Sequence, residues 1–320
     1  MTRRRRSRGA GRGGVWLFVL GVLVGAGALY LVFRDPRYGP GPASPERPEV
    51  RPAAAREEHA GREPSKAAGH TAVAAMPSLP PDAPDAGPVK DGGAHLPGHV
   101  ALVIDDLGER LEDLEPLLSL GVPVTYSVLP FEKHTSEVAA ELRKRRVEML
   151  LHLPMEPLNG EDPGPGALRV DMDDEELREK TEAALRAVPG AVGVNNHMGS
   201  RLSEDARAMT PVLEVIANHG LFFLDSRTSA QSIGYQKARS LGMPAAERHV
   251  FLDRDPDPDA IRKQFQRLLD LSRTRGSAVA IGHPLPHTLQ VLTEEVPKAR
   301  EEGFEFVPVS DLLDRGDGAQ

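Results

Sequence analysis

The 320-residue sequence predicts an α/β barrel of alternating strands and helices, complete or lacking one unit. From residue 99 onward, short runs rich in Val, Ile and Leu alternate with amphipathic helical stretches. The runs are apolar almost throughout, as expected of parallel strands covered on both faces. Specific polar groups close them repeatedly: Asp105-Asp106, His152, Asn195-Asn196-His197, Asp225 and His283. In such a barrel the C-terminal strand ends open onto one face, and that face carries the active site. Carboxylates and imidazoles gathered on one rim read as a metal-dependent hydrolase site. A doubly wound open sheet is the alternative fold. It usually places a glycine-rich phosphate loop after its first strand, whereas that turn here reads DDLGERLEDLE.

In chain order, residues 1–14 form a basic terminus with six arginines, expected to stay cytoplasmic. Residues 15–33, VWLFVLGVLVGAGALYLVF, are 19 uncharged residues, enough to cross about 30 Å of hydrocarbon as a helix. This segment predicts a single-pass signal anchor in a bacterial inner membrane, with the rest of the chain in the periplasm. A cleavable signal peptide is the rival, but the A-x-A-like site Ala26-Gly27-Ala28 lies inside the apolar run. Residues 34–98 are rich in Pro, Ala, Gly and charge, cannot bury enough apolar surface to fold, and read as a disordered linker. The absence of Cys excludes disulfides and attachment through a lipidated N-terminal cysteine. Net charge is −8, and setting aside the six arginines leaves −14 on the remainder, a poor balance for nucleic-acid binding.

Within the folded domain, residues 99–313, strands are expected at 99–105, 123–129, 148–153, 191–196, 221–225, 248–253, 277–283 and 304–309, with a tail at 314–320. Gly121, Gly220, Gly276 and Gly303 each close a helical run just before a strand, as C′ glycines do.

The chemistry lies in five motifs. The adjacent carboxylates of Asp105 and Asp106 repel, so one is readily bound to a cation while the other acts as base, although a turn or helix cap is the bland alternative. His152, in LLHLPMEP, has Glu156 four residues on, and the two can share a metal if Pro154 bends the chain. NNHMGSR, residues 195–201, places two amides, an imidazole and Arg201 after the fourth strand. Asp225 either orients a site histidine or arginine or caps the next helix, and His283 is placed to act as general acid. DRDPDPD, residues 253–259, has the alternating carboxylates of a calcium loop but lacks its glycine and distal Glu, so helix capping accounts for it. His287 is read as the start of the next helix.

Together, VIDDLG, LLHLPMEP, GVNNHMGSR, FFLDSRT and AIGHP resemble the divergent polysaccharide deacetylase family, across residues 99–313. The resemblance implies a deformed (β/α)7-type barrel and a divalent metal, usually zinc. It implies hydrolysis of N- or O-acetyl groups on an acetylated polysaccharide or peptidoglycan. It maps the base onto Asp105, a metal ligand onto Asp106 and the acid onto His283. The second motif of the superfamily has two histidines separated by three residues, where this chain has His152 and Glu156. Its third, Arg-x-Pro-Tyr, is replaced by NNHMGSR. The ligand set is therefore Asp106, His152 and either His197 or Glu156, with His197 preferred because neutral imidazole is a common zinc ligand. Asp225 or Arg201 would orient the proton-transfer pair. The expected protein is a membrane-tethered, extracytoplasmic carbohydrate deacetylase. A silent glycan-binding or envelope-scaffold protein on the same fold, or a hydrolase of another ester or amide, are the alternatives.

Overall fold

The computed structural model describes residues 98–313. The expected basic terminus, membrane segment and linker before them, and the tail after them, lie outside the described residues. Among the described residues no helix is long and apolar enough to cross a membrane.

HVALVIDDL forms strand β1 (His99–Leu107), the central strand of the sheet. Val and Ile suit a pleated surface buried on both faces, and residues 100 to 105 of β1 are all buried. β2 (Thr125–Val128), β3 (Met149–Met155), β4 (Gly193–Met198), β5 (Phe222–Asp225) and β6 (Ala245–Glu247) follow on one side of it, and β8 (Ser277–Gly282) and β7 (Val250–Phe251) on the other. All pairings are parallel. A short β9 (Glu305–Phe306) pairs with the start of β1, ahead of the point at which β2 joins it.

The sheet curls into an incomplete barrel because its two edge strands belong to one stretch of chain. Only Arg248 and His249 separate β6 from β7. The Arg248 N–H donates to Asp225 O at 2.9 Å and the His249 N–H to Val279 O at 2.9 Å, so consecutive residues reach opposite edges. The expected strand at 248–253 is thus shortened to two residues and preceded by an unforeseen β6. Pairing with two different partners, not propensity, sets both lengths.

Side-chain alternation divides the core in two. Ala101, Val103, Leu150, Phe222, Leu224, Val279 and Ile281 fill the barrel interior, with Val309 from a terminal 3-10 turn (Val309–Leu312) packed among them. Their neighbours Leu102, Ile104, Leu151, Val194, Phe223 and Ala280 face the helices. These are α1 (Leu114–Leu118), α2 (Thr135–Arg145), α3 (Asp174–Ala187), α4 (Ala206–Asn218), α5 (Gly234–Ser240), α6 (Pro258–Arg275) and α7 (Pro286–Glu301). Asp173 and Glu176 close α3 with a reciprocal capping box. Asp257 caps α6 by accepting from the N–H groups of Asp259 and Ala260, as the DRDPDPD run predicted. Gly276 ends α6 at φ 83°, the left-handed position its placement implied.

Candidate active site

On β1, β3, β4 and β8 the inward face, apolar at the bottom of the barrel, turns polar at the top. Above Ala101 and Val103 stands Asp105, above Leu150 stands His152, above Gly193 stand Asn195 and His197, and above Val279 and Ile281 stands His283. β1 and β4 run on through Asp106 and His197, each one residue past its expected strand end, whereas β8 stops at Gly282, one residue short of His283. Asp105 and Asp106 pose a problem of parity, since neighbours in a strand point to opposite faces. Asp106 has φ 60°, and the β1–β2 register is irregular between Ile104 and Leu107. This bulge turns the second carboxylate back toward the first.

Asn195 sets the orientation of the next layer. Its Nδ2 donates to both oxygens of Asp105, at 2.9 and 3.1 Å. A carboxylate only accepts, so the amide oxygen must face the other way, where it lies 2.9 Å from His152 Nδ1. Nδ1 therefore carries the proton, and His152 Nε2 is directed at Asp106 and His197. Binding the far nitrogen in this way is how metal-ligating imidazoles are oriented.

Three potential donor atoms then converge. Asp106 Oδ1 is 3.2 Å from His152 Nε2 and 2.9 Å from His197 Nδ1, and the two nitrogens are 3.1 Å apart. Donors bonded at 2.0–2.1 Å to a tetrahedral ion stand about 3.3 Å from one another, so this triangle has the dimensions of one tetrahedral face. Asp106 Oδ1 is buried yet makes no hydrogen bond of acceptable angle, despite two imidazole nitrogens in range. An oxygen left so beside two aimed nitrogens fits a cation better than a proton. Burial by itself would raise the Asp106 carboxyl, but the fields of His197 and His283 and contacts with both site imidazoles hold it well below the usual carboxylate range. Burial opposes the charged form of His152 too, and Asp105 and Asp106 reverse this and raise its pKa.

His283 closes the opposite side. Its Nδ1 donates to Asp253 Oδ1 at 2.9 Å, its backbone N–H to Asp253 Oδ2 at 2.6 Å, and its Nε2 lies 3.8 Å from Asp106 Oδ2. Burial favours neutral imidazole, but Asp253 first and Asp106 next overcome it, and the pKa is pushed up to about 10. Between these groups is a cavity of about 220 Å³ with Met198, Pro157 and Phe251 on its apolar walls. That is below the roughly 300 Å³ at which clefts begin to enclose drug-sized ligands, so one small group fits and a larger substrate must extend outside.

Thus Asp105, Asp106, His152, His197 and His283 come together, and three expected residues do not. Glu156 accepts from the Val170 N–H through Oε2 at 2.7 Å and pairs with Arg201 through Oε1 at 3.1 Å. With both oxygens engaged there, Glu156 is not in the donor cluster of Asp106, His152 and His197. Arg201 is half-exposed on Glu156 and does not line the cavity. Asp225 follows the outward Phe223 by two residues, so its carboxylate faces the helical layer. There Oδ1 accepts from the Arg227 N–H at 2.8 Å, and Oδ2 from Ser232 Oγ at 2.7 Å and the Tyr235 N–H at 3.0 Å. Neither Asp225 nor Arg201, expected to orient the proton-transfer pair, is bonded to His283 or Asp105; the carboxylate on the His283 ring is Asp253. Asp253 carried the same sign as the others, a carboxylate at the end of the apolar run RHVFLD. Asn195 was visible only as part of a polar loop, and its two-sided bonding depends on strands β1 and β3.

Parallel strands curled into an incomplete barrel thus carry carboxylates and imidazoles at their C-terminal ends, around one small cavity. Residues 102–313 match the family profile of the divergent polysaccharide deacetylases, and the chain belongs to that family. It is 37% identical over 201 residues to the uncharacterized protein YibQ of Escherichia coli K12, a match covering 63% of each chain. It is 32% identical over 193 residues to an uncharacterized protein of Haemophilus influenzae, covering 60% of this chain and 69% of that one. Among solved structures, the uncharacterized protein ATU2773 of Agrobacterium tumefaciens C58 superposes with a TM-score of 0.64 at 25% identity, over 70% of this chain and 92% of that one.

Proposed function

We propose that this chain is a metal-dependent hydrolase that removes acetyl groups from a carbohydrate polymer, an acetylated polysaccharide or peptidoglycan. What supports the reading is one juxtaposition: the donor triangle of Asp106, His152 and His197 has Asp105 on one side, 3.5 Å from His152 Nε2, and the Asp253-braced His283 on the other. Two imidazoles and one carboxylate suit zinc, with a fourth position left for water or substrate. A divalent ion held there supplies Lewis-acid polarisation of an acyl carbonyl and acidifies water.

The chain's own groups divide the proton transfers. Asp105, held by the Asn195 amide, accepts the proton of the attacking water. His283, kept protonated by Asp253 and Asp106, gives its Nε2 proton to the departing sugar nitrogen or oxygen as the acyl bond breaks. Acetate and a free amine or hydroxyl leave. Phe251 and Met198 present apolar surface suited to the acetyl methyl.

The protein works tethered to the membrane, with its barrel on the periplasmic side. This part rests on the apolar run 15–33 and the arginines before it.

The test is acetate release by the full-length protein from peptidoglycan, chitin oligomers and acetylated exopolysaccharide, with and without zinc. Release that needs zinc and disappears in Asp105→Asn is expected. Stoichiometric zinc with no release from any acetylated glycan would move the reading to a silent glycan-binding or scaffold protein.

A further inference from the structure

Because the cavity admits only a small group, most of a polymeric substrate must lie on the surrounding rim. Phe131 is the only exposed Phe, Tyr or Trp among the described residues, at 46% exposure. It sits in the loop after β2, at the cavity end of the barrel. Its φ of 63° is a left-handed conformation that bulky side chains rarely adopt, and such outliers gather where a ligand is held. The loop is pinned in place. Buried Thr135 donates to Leu129 O at 2.7 Å and accepts from the Glu132 N–H at 2.9 Å. The N–H groups of Leu129 and His134 donate to Leu107 O and Gly108 O at the end of β1, each at 2.7 Å. The ring packs directly against Gly166 of the loop after β3, where an added Cβ would fall 2.5 Å from Phe131 Cε2. An aromatic ring is thus fixed in solvent by its own loop and by a neighbour that has no side chain.

The surroundings indicate what it meets. Leu111 and Leu158, also exposed, lie on the loops after β1 and β3, the strands that flank β2. The remaining exposed large apolar side chains, Val192 and Leu241, precede β4 and β6 at the opposite end. Exposed apolar side chains on three neighbouring loops at the cavity end of the barrel are the kind of surface that recognition uses. Glu132 is next to Phe131 in the chain, and Glu161 lines the cavity itself. These carboxylates disfavour an anionic chain.

We infer that Phe131, backed by Gly166 and flanked by Leu111 and Leu158, is a stacking platform for a second, uncharged sugar ring, adjoining the sugar whose acyl group enters the cavity. The inference rests on the carbohydrate reading above. A pyranose presents C–H groups on one face and hydroxyls around its edge, which suits a fixed aromatic ring with carboxylate acceptors nearby.

Calorimetric titration of the full-length protein with β-1,4-linked N-acetylglucosamine oligomers of one to six units tests it, with hexagalacturonate as the anionic control. Affinity should rise with length in the parent. In Phe131→Ala it should flatten, with the hexamer bound about tenfold more weakly, the upper end of what one aromatic contact contributes, and Phe131→Trp should restore it. Hexagalacturonate should bind far more weakly than the neutral hexamer. Unchanged hexamer affinity in Phe131→Ala, no binding of any oligomer by the parent, or equal binding of hexagalacturonate would overturn the inference. Acetate release is scored separately. Phe131-dependent binding without release defeats the hydrolase reading and leaves the platform standing, whereas release with Phe131-independent binding does the reverse.

Discussion

Asp253 grips His283 from two directions, its Oδ1 accepting from the ring Nδ1 and its Oδ2 from the backbone N–H of the same residue. Thr288 Oγ1 donates to the same Oδ2 at 2.7 Å, so the carboxylate is itself immobilised. The proposed acid is therefore oriented by a residue thirty positions away in sequence, with Nε2 left facing Asp106. Asp253→Asn should leave zinc content near that of the parent and lower kcat for acetate release by about 10²- to 10⁴-fold, the range of a general-acid contribution. Steady-state kinetics on a soluble acetylated oligosaccharide, with metal analysis of the same samples, checks it. A variant with full kcat would remove Asp253 from the mechanism.

Three side chains share the proposed ion, so loss of any one should empty the site. His197→Ala should lose stoichiometric zinc, whereas Glu156→Ala, whose carboxylate is occupied by Val170 and Arg201, should keep it. Elemental analysis after dialysis reads both. Zinc retained in the first variant and lost in the second would reverse the assignment. Saturating zinc should also raise the melting temperature of the parent and not of His197→Ala, because binding to the folded state alone adds stability.

Asp225 and Arg201 separate stability from chemistry. Asp225→Ala would strand three donors in a buried site, Arg227 N–H, Ser232 Oγ and Tyr235 N–H, at a cost of roughly 1–3 kcal/mol for each left without water. A marked fall in melting temperature is expected, with the activity of the protein that remains folded close to that of the parent. Arg201→Ala removes an ion pair whose arginine is half-exposed, with Glu156 still bonded to the Val170 N–H, and should change stability by about 1 kcal/mol. A loss of kcat without loss of stability in either variant would return that residue to the reaction.

The direction of pH dependence follows from His283 and His152. In metal-free protein the folded pKa of His283, about 10, lies above its unfolded value near 6.5. The group therefore contributes stability that is fully present below pH 6.5 and is lost as pH rises from there through 10. Denaturant melts of metal-free parent should weaken over that window, and those of His283→Ala should weaken less. His152, also raised, must lose a proton before its Nε2 can hold an ion, so zinc affinity should fall as pH drops through its titration. Competition with a chelator at several pH values measures this, and an affinity indifferent to pH would argue against an imidazole ligand.

Topology is tested outside the barrel. Protease added to spheroplasts should digest residues 99–313 and spare a short N-terminal stub, and replacing the six arginines with neutral residues should weaken that orientation. Full-length protein protected from protease would refute the tether.

Much of the barrel was legible in one dimension because burial on both faces of a parallel strand demands a continuous apolar run, and helix ends demand capping groups that local sequence supplies. HVALVID and SAVAIGH could be read as strands for that reason, and Asp257 and Gly276 as helix ends. The donors Asp106, His152 and His197 were legible because the chemistry allows few residue types and each closes such a run. Other features depended on partners distant in the chain. β6 exists because β5 offers it an edge, two residues before β8 offers the other edge to β7. The face on which a polar residue lands is set by strand parity and its interruptions. Asp225 falls on the outward face, while a left-handed residue and a bulge bring Asp106 back beside Asp105. Hydrogen-bond direction likewise needs both partners, so Asn195 as the link between Asp105 and His152, and Asp253 in place of Asp225 or Arg201 as the brace of His283, were decided by tertiary structure. Sequence alone determined which residues could do the chemistry, because donor type and local periodicity are properties of the chain itself. Tertiary structure decided which of them meet and which way they point, because distance and orientation between separate strands are set only when the sheet curls.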